Sequence, residues 1–370
     1  MPRRDHVAVI GPFRPLKGGI AGHTTVLADA LETSGAVVDR FSWVSQYPRM
    51  LYRRDERDPA APSTPGVRWW LRWWNPASWA RVAWVVRRHD VVVLPWVSPA
   101  HGPLQLLVLL AARRARRVVH VHNVLPHEPM PLSRLLARLV LGRADLLVCH
   151  ASALADELAQ LGVRTPVVVT PMLPIVARDR SDPPPWPPIR LLFAGAIRRY
   201  KGLDIALDAL ALLDDDRPPL ALTIAGEIWD DNERPSAERL AALDVEVHTE
   251  FRYVSDDELA TMMAEHHLVL APYRSATQSG MVSVALAAGR PVVVTPVGGL
   301  PESVEDGVTG VVAGTADAEG FAAAIQRALA SIGTLLATAG SGLDAVDRYV
   351  DVLGADLSPG DRRARPHRPG

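Results

Sequence analysis

Apolar residues in the first half of the chain occur in short continuous runs, separated by segments rich in glycine, arginine or proline. Runs of valine and leucine without alternating polar residues are typical of strands buried on both faces of a parallel sheet. These runs predict strands at residues 6–11, 37–43, 90–94, 117–122, 145–149 and 166–170. Apolar residues at helical spacing predict helices at residues 23–33, 132–141 and 153–161.

The second half of the chain repeats this alternation. Strands are predicted at residues 189–194, 220–225, 245–248, 267–271, 291–295 and 309–312. Helices are predicted at residues 203–213, 237–243, 256–265, 281–288 and 318–330. Because strands that alternate with helices pair in parallel, the pattern predicts an α/β fold. We expect two doubly wound, Rossmann-like parallel-sheet domains that face each other across a cleft.

A proline-dense segment at residues 174–188 separates the two halves. Proline cannot continue a helix or a central strand, so we interpret this segment as a linker. The predicted organisation is an N-terminal domain over residues 1–173 and a C-terminal domain over residues 189–340. A helix at residues 341–356 is expected to pack back towards the N-terminal domain, and residues 357–370 are expected to be a disordered tail.

Composition supports folded domains in a reducing compartment. Of the 370 residues, 48% are hydrophobic and 22% charged, which is enough to form a sizeable core. Cys149 is the only cysteine, which excludes an internal disulfide. The first residues do not resemble a signal peptide, and the longest apolar run, residues 104–112, is far shorter than the ~20 residues of a spanning helix. We therefore expect a cytoplasmic protein.

The net charge of -1 argues against a general nucleic-acid binder, but the charge is unevenly distributed. Residues 1–180 contain 24 Lys and Arg against 13 Asp and Glu, whereas the remainder contains 16 against 28. Two halves of opposite sign indicate two domains that face different partners.

The clearest candidate for chemistry follows the strand predicted at residues 189–194. Gly195 ends this strand, Arg198 and Lys201 follow it, and Gly202 begins the next helix. Cations and free backbone amides at a strand-to-helix turn form a site for an anion such as phosphate. A solvated basic loop is the alternative interpretation.

Two glycine pairs lie at the predicted carboxyl ends of strands, where open α/β sheets bind ligands. Gly18 and Gly19 follow the first strand, and Gly298 and Gly299 follow the strand at residues 291–295. These glycines either let the backbone approach a ligand or serve turn geometry.

A polar loop at residues 273–280 leads into the helix predicted at residues 281–288. The first amides of that helix can hold a phosphate or a sugar hydroxyl. An ordinary helix cap at Ser279 is the alternative.

The order of these motifs resembles that in the retaining nucleotide-sugar glycosyltransferases of family four (glycosyl transferases group 1), which have the GT-B fold. The matching features are the first glycine loop, the Lys-Gly turn, a Pro-Tyr-Arg loop, and Gly-x-Pro-Val-Val followed by Gly-Gly-Leu-Pro-Glu and Asp-Gly-x-Thr-Gly. The resemblance covers roughly residues 6–350.

The resemblance implies an enzyme, a hexosyltransferase acting in cell-envelope or other glycan biosynthesis. The N-terminal domain would bind the acceptor and the C-terminal domain the nucleoside diphosphate sugar. Transfer to an acceptor hydroxyl would retain the anomeric configuration and need neither a metal ion nor a cofactor beyond the nucleotide sugar. The acceptor classes left open are a lipid-linked or cell-envelope glycan, an inositol derivative and a small metabolite.

The resemblance also assigns candidate residues. Arg198 and Lys201 match the pair that clamps the donor diphosphate and stabilises charge on the leaving group. His122 matches the histidine that reaches the donor sugar and the acceptor, and it completes the set of catalytic candidates. His127, beside Glu128, is the acceptor-side candidate for a base or orienting group. The donor-binding candidates are Gly18, Gly19, Gly195, Gln278, Ser279, Gly280 and Met281.

The chain departs from the family pattern at three positions. Ala196 stands where the family commonly has an arginine five residues before the lysine, and Arg198 is the nearest substitute. Ala276 and Val284 stand where the family has two glutamates, the second of which binds the ribose hydroxyls. Because of Ala276 and Val284, a non-catalytic glycosyltransferase-like binding or partner protein is the second hypothesis. A subgroup with Ser-Ala-Thr-Gln-Ser-Gly at this loop shares the departure, which favours a changed contact over a decayed site.

Other classes are less well supported. A GT-B sugar epimerase would share the fold and is distinguished by its product. A nicotinamide dehydrogenase is disfavoured because no G-x-G-x-x-G follows either first strand. His120 is expected to be structural. The His-x-His spacing of His120 and His122 has no third ligand at a useful distance along the chain, so no metal site is predicted.

Tryptophans and arginines interleave over residues 68–84. The resemblance implies that this stretch is a helix packed under the acceptor site, with its tryptophans in the core. Such interleaving also occurs in segments at membrane interfaces. Because the first half is basic and residues 113–117 contain four arginines, we hypothesise peripheral contact with an anionic membrane at its inner face.

Overall fold

The computed structural model describes residues 5–47, 55–58, 61–97, 99–125, 132–173 and 180–340. Its first half forms a seven-stranded sheet in which every strand pair is parallel, with the order β3-β2-β1-β4-β5-β6-β7. The strands are β1 (His6–Ile10), β2 (Val37–Ser45), β3 (Val67–Arg72), β4 (Val91–Trp96), β5 (Arg116–Val121), β6 (Leu146–Cys149) and β7 (Val167–Val169). The helices are α1 (Gly19–Thr33), α2 (Pro76–Val86), α3 (Gly102–Ala111), α4 (Ser133–Leu141) and α5 (Ser152–Gln160).

The second half forms a six-stranded parallel sheet with the order β10-β9-β8-β11-β12-β13. Its strands are β8 (Ile189–Ala194), β9 (Leu220–Ala225), β10 (Glu246–Glu250), β11 (Leu268–Ala271), β12 (Val292–Val294) and β13 (Gly310–Val312). Its helices are α6 (Leu203–Ala211), α7 (Ala237–Ala241), α8 (Asp256–Glu265), α9 (Gly280–Ala287), α10 (Ala318–Ala330) and α11 (Ile332–Thr338). The two parallel sheets confirm the predicted α/β fold.

Each sheet has a hydrophobic core on both faces, which explains the continuous apolar runs of its central strands. In the first sheet, helices α2 to α5 pack on one face, while Leu27 and Leu31 of α1 pack on the other. In the second sheet, α6 and α10 cover one face and α8 and α9 the other.

The tryptophan-rich stretch corrects one expectation. Residues 67–72 form strand β3, not a helix, and Trp69 and Trp70 are half-buried on it. Trp73 and Trp74 are exposed at the carboxyl end of this strand, and the following helix begins at Pro76. The resemblance had placed these tryptophans in the core of one helix, which is therefore wrong for this part of the stretch.

The strand order reverses between β1 and β4 in the first sheet and between β8 and β11 in the second. Connections leave on opposite sides at such a point, so a crevice opens at the carboxyl ends of the strands. The predictions for residues 174–179, 341–356 and 357–370 lie outside the described residues.

In the described ranges no single helix is both long and apolar enough to cross a membrane. Helices α10 and α11 pass on length and composition only as a pair, which is bent by 79° at its break.

Candidate functional site

A cavity of about 370 Å³ lies between the two sheets, at the carboxyl ends of their strands. The loop after β1 forms one wall, and the loops after β8, β9, β10 and β11 form the other. The sequence-predicted residues that line it are Gly18, Gly19, Gly195, Arg198, Lys201, Gln278, Ser279, Gly280 and Met281. The structure therefore brings together nine of the ten described candidates.

The turn between β8 and α6 holds a lysine in the cavity wall. Gly195 has a φ of +98°, and a Cβ there would lie 2.6 Å from Lys201 Nζ, so glycine leaves room for the ammonium group. Lys201 Nζ also lies 5.4 Å from the centre of the Tyr273 ring. Burial lowers the pKa of Lys201, and the charge of Arg198 lowers it further, whereas Tyr200 opposes the shift. A buried cation of this kind is stabilised by an anion in the cavity.

Arg198 is positioned by aromatic rings. Its guanidinium carbon lies 4.6 Å from the Trp229 ring centre and 5.7 Å from that of Tyr200. The backbone around it pairs with the loop after β9, because Ile197 N donates to Glu227 O at 2.9 Å and Trp229 N donates to Ile197 O at 3.1 Å. This pairing fixes the Lys-Gly turn beside Trp229 in the cavity wall.

The amino end of α9 faces the same cavity. Ser279 caps this helix, since its Oγ accepts a hydrogen bond from Val282 N at 3.3 Å. The Tyr273 hydroxyl lies 3.2 Å from Ser279 Oγ. The cap interpretation of Ser279 is thus correct. The first turn of α9 also lines the cavity opposite Lys201, and the backbone N–H groups of a helix's first turn carry a partial positive charge. Two cations and a helix amino end together favour a polyanion.

The first half of the chain reaches the site through the loop before α1. Gly18 has a φ of +109°, which favours glycine, and it precedes the first helical residue, Gly19. Lys17 Nζ lies 4.5 Å from the centre of the Tyr253 ring. Arg14 forms an ion pair with Asp256 at 2.6 Å across the cleft. Burial raises the pKa of Asp256, although Arg14 opposes the shift.

His122 lies behind the cavity wall instead of lining it. Gln278 Nε2 lies 3.1 Å from His122 Nδ1, so the histidine positions a glutamine that does line the cavity. Burial and the neighbouring His150 lower the pKa of His122 to about 3, and the ring is neutral at pH 7. His127 and Glu128 lie outside the described residues.

The second glycine pair serves packing. A Cβ at Gly298, where φ is +52°, would lie 1.5 Å from Ala276 O, and one at Gly299 would lie 2.4 Å from the Ala151 Cβ of the other half. Gly298 thus allows its loop to approach the loop before α9, and Gly299 allows the two halves of the chain to approach each other. Val284 is buried in the core under α9 and does not line the cavity, so it cannot contact a ligand there.

Several lining residues were not predicted from the sequence. Glu227 and Trp229 follow β9, and Tyr253 and Asp256 follow β10. The signal that could have found them is position alone, because the carboxyl ends of parallel strands meet at one edge of a sheet.

Glu227 and Asp256 are the acidic side chains of the cavity wall within the described residues. No group of three His, Cys, Asp or Glu side chains in the described ranges has the arrangement of a metal site.

Two family descriptions match the chain. "Glycosyltransferase Family 4" matches residues 17–172, and "Glycosyl transferases group 1" matches residues 188–331. The matches divide at the same place as the two sheets.

Curated relatives match over part of the chain. A D-inositol 3-phosphate glycosyltransferase of Saccharomonospora viridis is 28% identical over 219 residues, which are 54% of this chain and 51% of the relative. A GDP-mannose:glycolipid 4-beta-D-mannosyltransferase of Xanthomonas campestris pv. campestris is 35% identical over 105 residues, which are 28% of this chain and 30% of the relative. The chain thus spans about half or less of the length of these two relatives.

Solved structures match over nearly the whole chain and show the fold. HepE of Anabaena, solved in complex with UDP, has a TM-score of 0.68 at 16% identity and covers 95% of this chain and 99% of its own. Sucrose-phosphate synthase from Thermosynechococcus elongatus has a TM-score of 0.63 at 18% identity and covers 95% of each chain. With both halves matched by glycosyltransferase families and the architecture shared with these structures, the chain belongs to the family-four, group 1 glycosyltransferases with the GT-B fold.

Proposed function

We propose that the protein transfers a hexose from a nucleoside diphosphate sugar to an acceptor hydroxyl with retention of configuration and without a metal ion. The observation that carries the proposal is the buried Lys201, placed with Arg198 in a cavity that the amino end of α9 also faces. A diphosphate supplies the negative charge that this arrangement stabilises. The relatives named for inositol phosphate and glycolipid acceptors support acceptors of those classes.

In the proposed reaction, the bond between the anomeric carbon and the diphosphate oxygen breaks with its electron pair. The acceptor hydroxyl oxygen forms the new bond on the same face, and its proton leaves with the diphosphate. Negative charge therefore grows on the diphosphate, where Lys201 and Arg198 stabilise it more strongly than in the ground state. His122 acts through Gln278, whose Nε2 lies 3.1 Å from His122 Nδ1.

Glu227 is the proposed replacement for the missing ribose contact. Val284, at the family's ribose position, is buried in the core, whereas Glu227 lines the cavity beside Trp229. A carboxylate accepts hydrogen bonds from two ribose hydroxyls, and the indole of Trp229 offers a stacking face for the base.

The test is a thermal-shift panel of UDP, GDP, ADP and dTDP. One nucleotide is expected to raise Tm, and Lys201→Ala should abolish the rise. Arg199→Ala is the matched control, because Arg199 is an exposed cation of the same turn that does not line the cavity. A panel with no shift for any nucleotide would contradict the donor site.

A second candidate function, a non-catalytic binding or partner protein, is favoured by the burial of Val284 and by Ala276 at the other glutamate position. It predicts a nucleotide-induced rise in Tm without any release of sugar from the donor. Donor hydrolysis in the absence of acceptor separates the two functions.

A further inference from the structure

Three helices form a continuous layer on one face of the first sheet. Helix α3 packs against α2 on one side and against α4 on the other. Their inner residues, such as Val82, Leu104 and Val140, are buried in the core. The outer side of this layer is called the α2–α4 face.

The charged residues of this layer have one sign. Residues 72–89, 99–117 and 132–144 contain no Asp or Glu, although residues 1–180 contain 13 of them. An ordinary solvated surface mixes both signs. The exposed arginines of the α2–α4 face are Arg81, Arg87, Arg88, Arg113, Arg114, Arg134, Arg138 and Arg143.

Large apolar side chains are exposed among these arginines. Trp84 is 56% exposed on α2, and Leu132 and Leu135, at and after the start of α4, are 69% and 51% exposed. Leu107 and Leu110 of α3 and Leu139 of α4 are exposed as well. Helix α4 buries Ala137, Val140 and Leu141 on its inner side. Its outer side therefore exposes leucines beside arginines. Such side chains in contact with water indicate a partner surface.

The carboxyl ends of α2 and α3 enclose an open groove of about 620 Å³. Four arginines line it together with one aromatic ring, and the Arg88 guanidinium lies 4.9 Å from the Trp84 ring centre. The groove is lined by Trp84, Arg87, Arg88, Ala111, Arg113 and Arg114.

We propose that the α2–α4 face docks on an anionic lipid bilayer. Arginines in the groove bind lipid phosphates, while the exposed tryptophan and leucines enter the interfacial layer. Charge complementarity selects this partner, since the described segments of the face, residues 72–89, 99–117 and 132–144, combine arginines with exposed apolar side chains and contain no Asp or Glu to pair with a cationic protein. The docking itself does not depend on the proposed transfer reaction.

The test is flotation of the full chain with phosphatidylcholine vesicles that contain either no phosphatidylglycerol or 30% of it. The protein is expected to float only with the anionic vesicles and to be released by high salt. Changing Arg87, Arg88, Arg113 and Arg114 together to glutamine should lower the partition coefficient by at least ~100-fold. The same four positions changed to lysine should retain binding within a few fold, because the charge is kept.

A charge-matched control changes four exposed or half-exposed arginines of the second half to glutamine and should leave binding unchanged. These are Arg234, Arg239, Arg252 and Arg327. Near-ultraviolet circular dichroism checks that each variant is folded.

Three flotation results would overturn the proposal. They are no flotation with anionic vesicles, equal flotation with neutral ones, and equal loss in the charge-matched control. A dimer in light scattering that Leu135→Asp dissociates would assign the face to a second copy of the chain instead. Nucleotide binding is unaffected in every outcome, so failure here is distinct from failure of the proposed donor site.

Discussion

The surroundings of Lys201 determine its position and its charge. Gly195 makes room for its ammonium group, the Tyr273 ring lies beneath it, and burial lowers its pKa. An anion bound beside Lys201 stabilises the folded chain, because desolvation penalises an isolated buried cation and a nearby negative charge offsets that penalty. That environment sets two properties of nucleotide binding, its dependence on pH and its tolerance of a side chain beside the lysine.

The first concerns pH. Since burial lowers the pKa of Lys201, the free protein loses this charge at a lower pH than an ordinary lysine does. A bound diphosphate favours the protonated form, so nucleotide affinity should fall as pH rises through the lowered pKa, by at most about tenfold per pH unit. Titration calorimetry from pH 7 to pH 10 measures the slope, and Lys201→Arg should remove it, because arginine stays charged. A flat wild-type profile would show that Lys201 does not meet the nucleotide.

The second concerns the space beside the lysine. Gly195→Ala should weaken nucleotide binding by about tenfold or more, because its Cβ would lie 2.6 Å from Lys201 Nζ. Gly307→Ala is the matched control, since Gly307 also has a positive φ, of +81°, and no atom lies within 4 Å of its Cβ position. Both variants should lose comparable stability, but only the first should lose affinity. Equal affinities would separate Gly195 from the binding site.

At the scale of elements, helix α1 and the carboxyl ends of strands β5 and β6 bring four imidazoles together beneath the cleft. The ring centre of His23 on α1 lies 5.1 Å from those of His122 and His150 and 5.6 Å from that of His120. Burial lowers the pKa of each ring, to about 3 for His122 and about 4 for His150. The cluster is therefore neutral at pH 7.

The cluster should make the fold sensitive to acid. Unfolded histidines take up protons below about pH 6.5, whereas His122 and His150 do so in the folded state only near pH 3 to 4. The contribution of these histidines to the free energy of unfolding is therefore fully present above about pH 6.5. It declines as pH falls towards 4, and the loss at pH 5 is about 2 kcal/mol per histidine. Chemical denaturation at pH 7 and pH 5 measures the loss, and His150→Gln should reduce it by one histidine's share. Equal stability at both pH values would contradict burial of the cluster.

Elements were predictable where burial was uniform. The valine and leucine runs of β4, β5 and β8 are buried on both faces. Their sequence pattern therefore identifies them as strands without knowledge of the neighbouring strands. The pattern did not predict α3, because a short apolar run is equally compatible with a strand or a helix. The pattern also failed to predict β3, because its tryptophans and arginines follow neither the helical nor the strand period. Pairing with β2 determines the structure there.

The site was predictable where residue type carries the chemistry. Arg198 and Lys201 stand out as cations at a strand-to-helix turn, and both line the cavity. Trp229 and Glu227 were missed because an aromatic and an acid in a loop are common, and only the three-dimensional pairing of that loop with residues 195–197 places them there. His122 matched a family position, yet its burial behind Gln278 depends on packing that the sequence does not display.

At the scale of the whole molecule, the cavity exists because the two halves touch around it. Thr277 Oγ1 donates to Asn123 Oδ1 at 2.9 Å, and Ser152 N donates to Glu302 Oε2 at 2.7 Å. Together with the ion pair of Arg14 and Asp256, these contacts hold the first glycine loop opposite the Lys-Gly turn. A ligand in this cavity is therefore enclosed by both halves, as a transfer between two substrates requires.

The most direct measurement is donor hydrolysis without acceptor, followed as release of nucleoside diphosphate from UDP-, GDP-, ADP- and dTDP-sugars. We predict slow hydrolysis of one donor by the wild-type protein and a decrease of more than ~100-fold in Lys201→Ala, because the leaving diphosphate loses its buried cation. Arg199→Ala should retain the wild-type rate. Nucleotide binding without hydrolysis of any donor, or equal rates in Lys201→Ala and the wild type, would contradict the assignment of this cavity as a catalytic donor site.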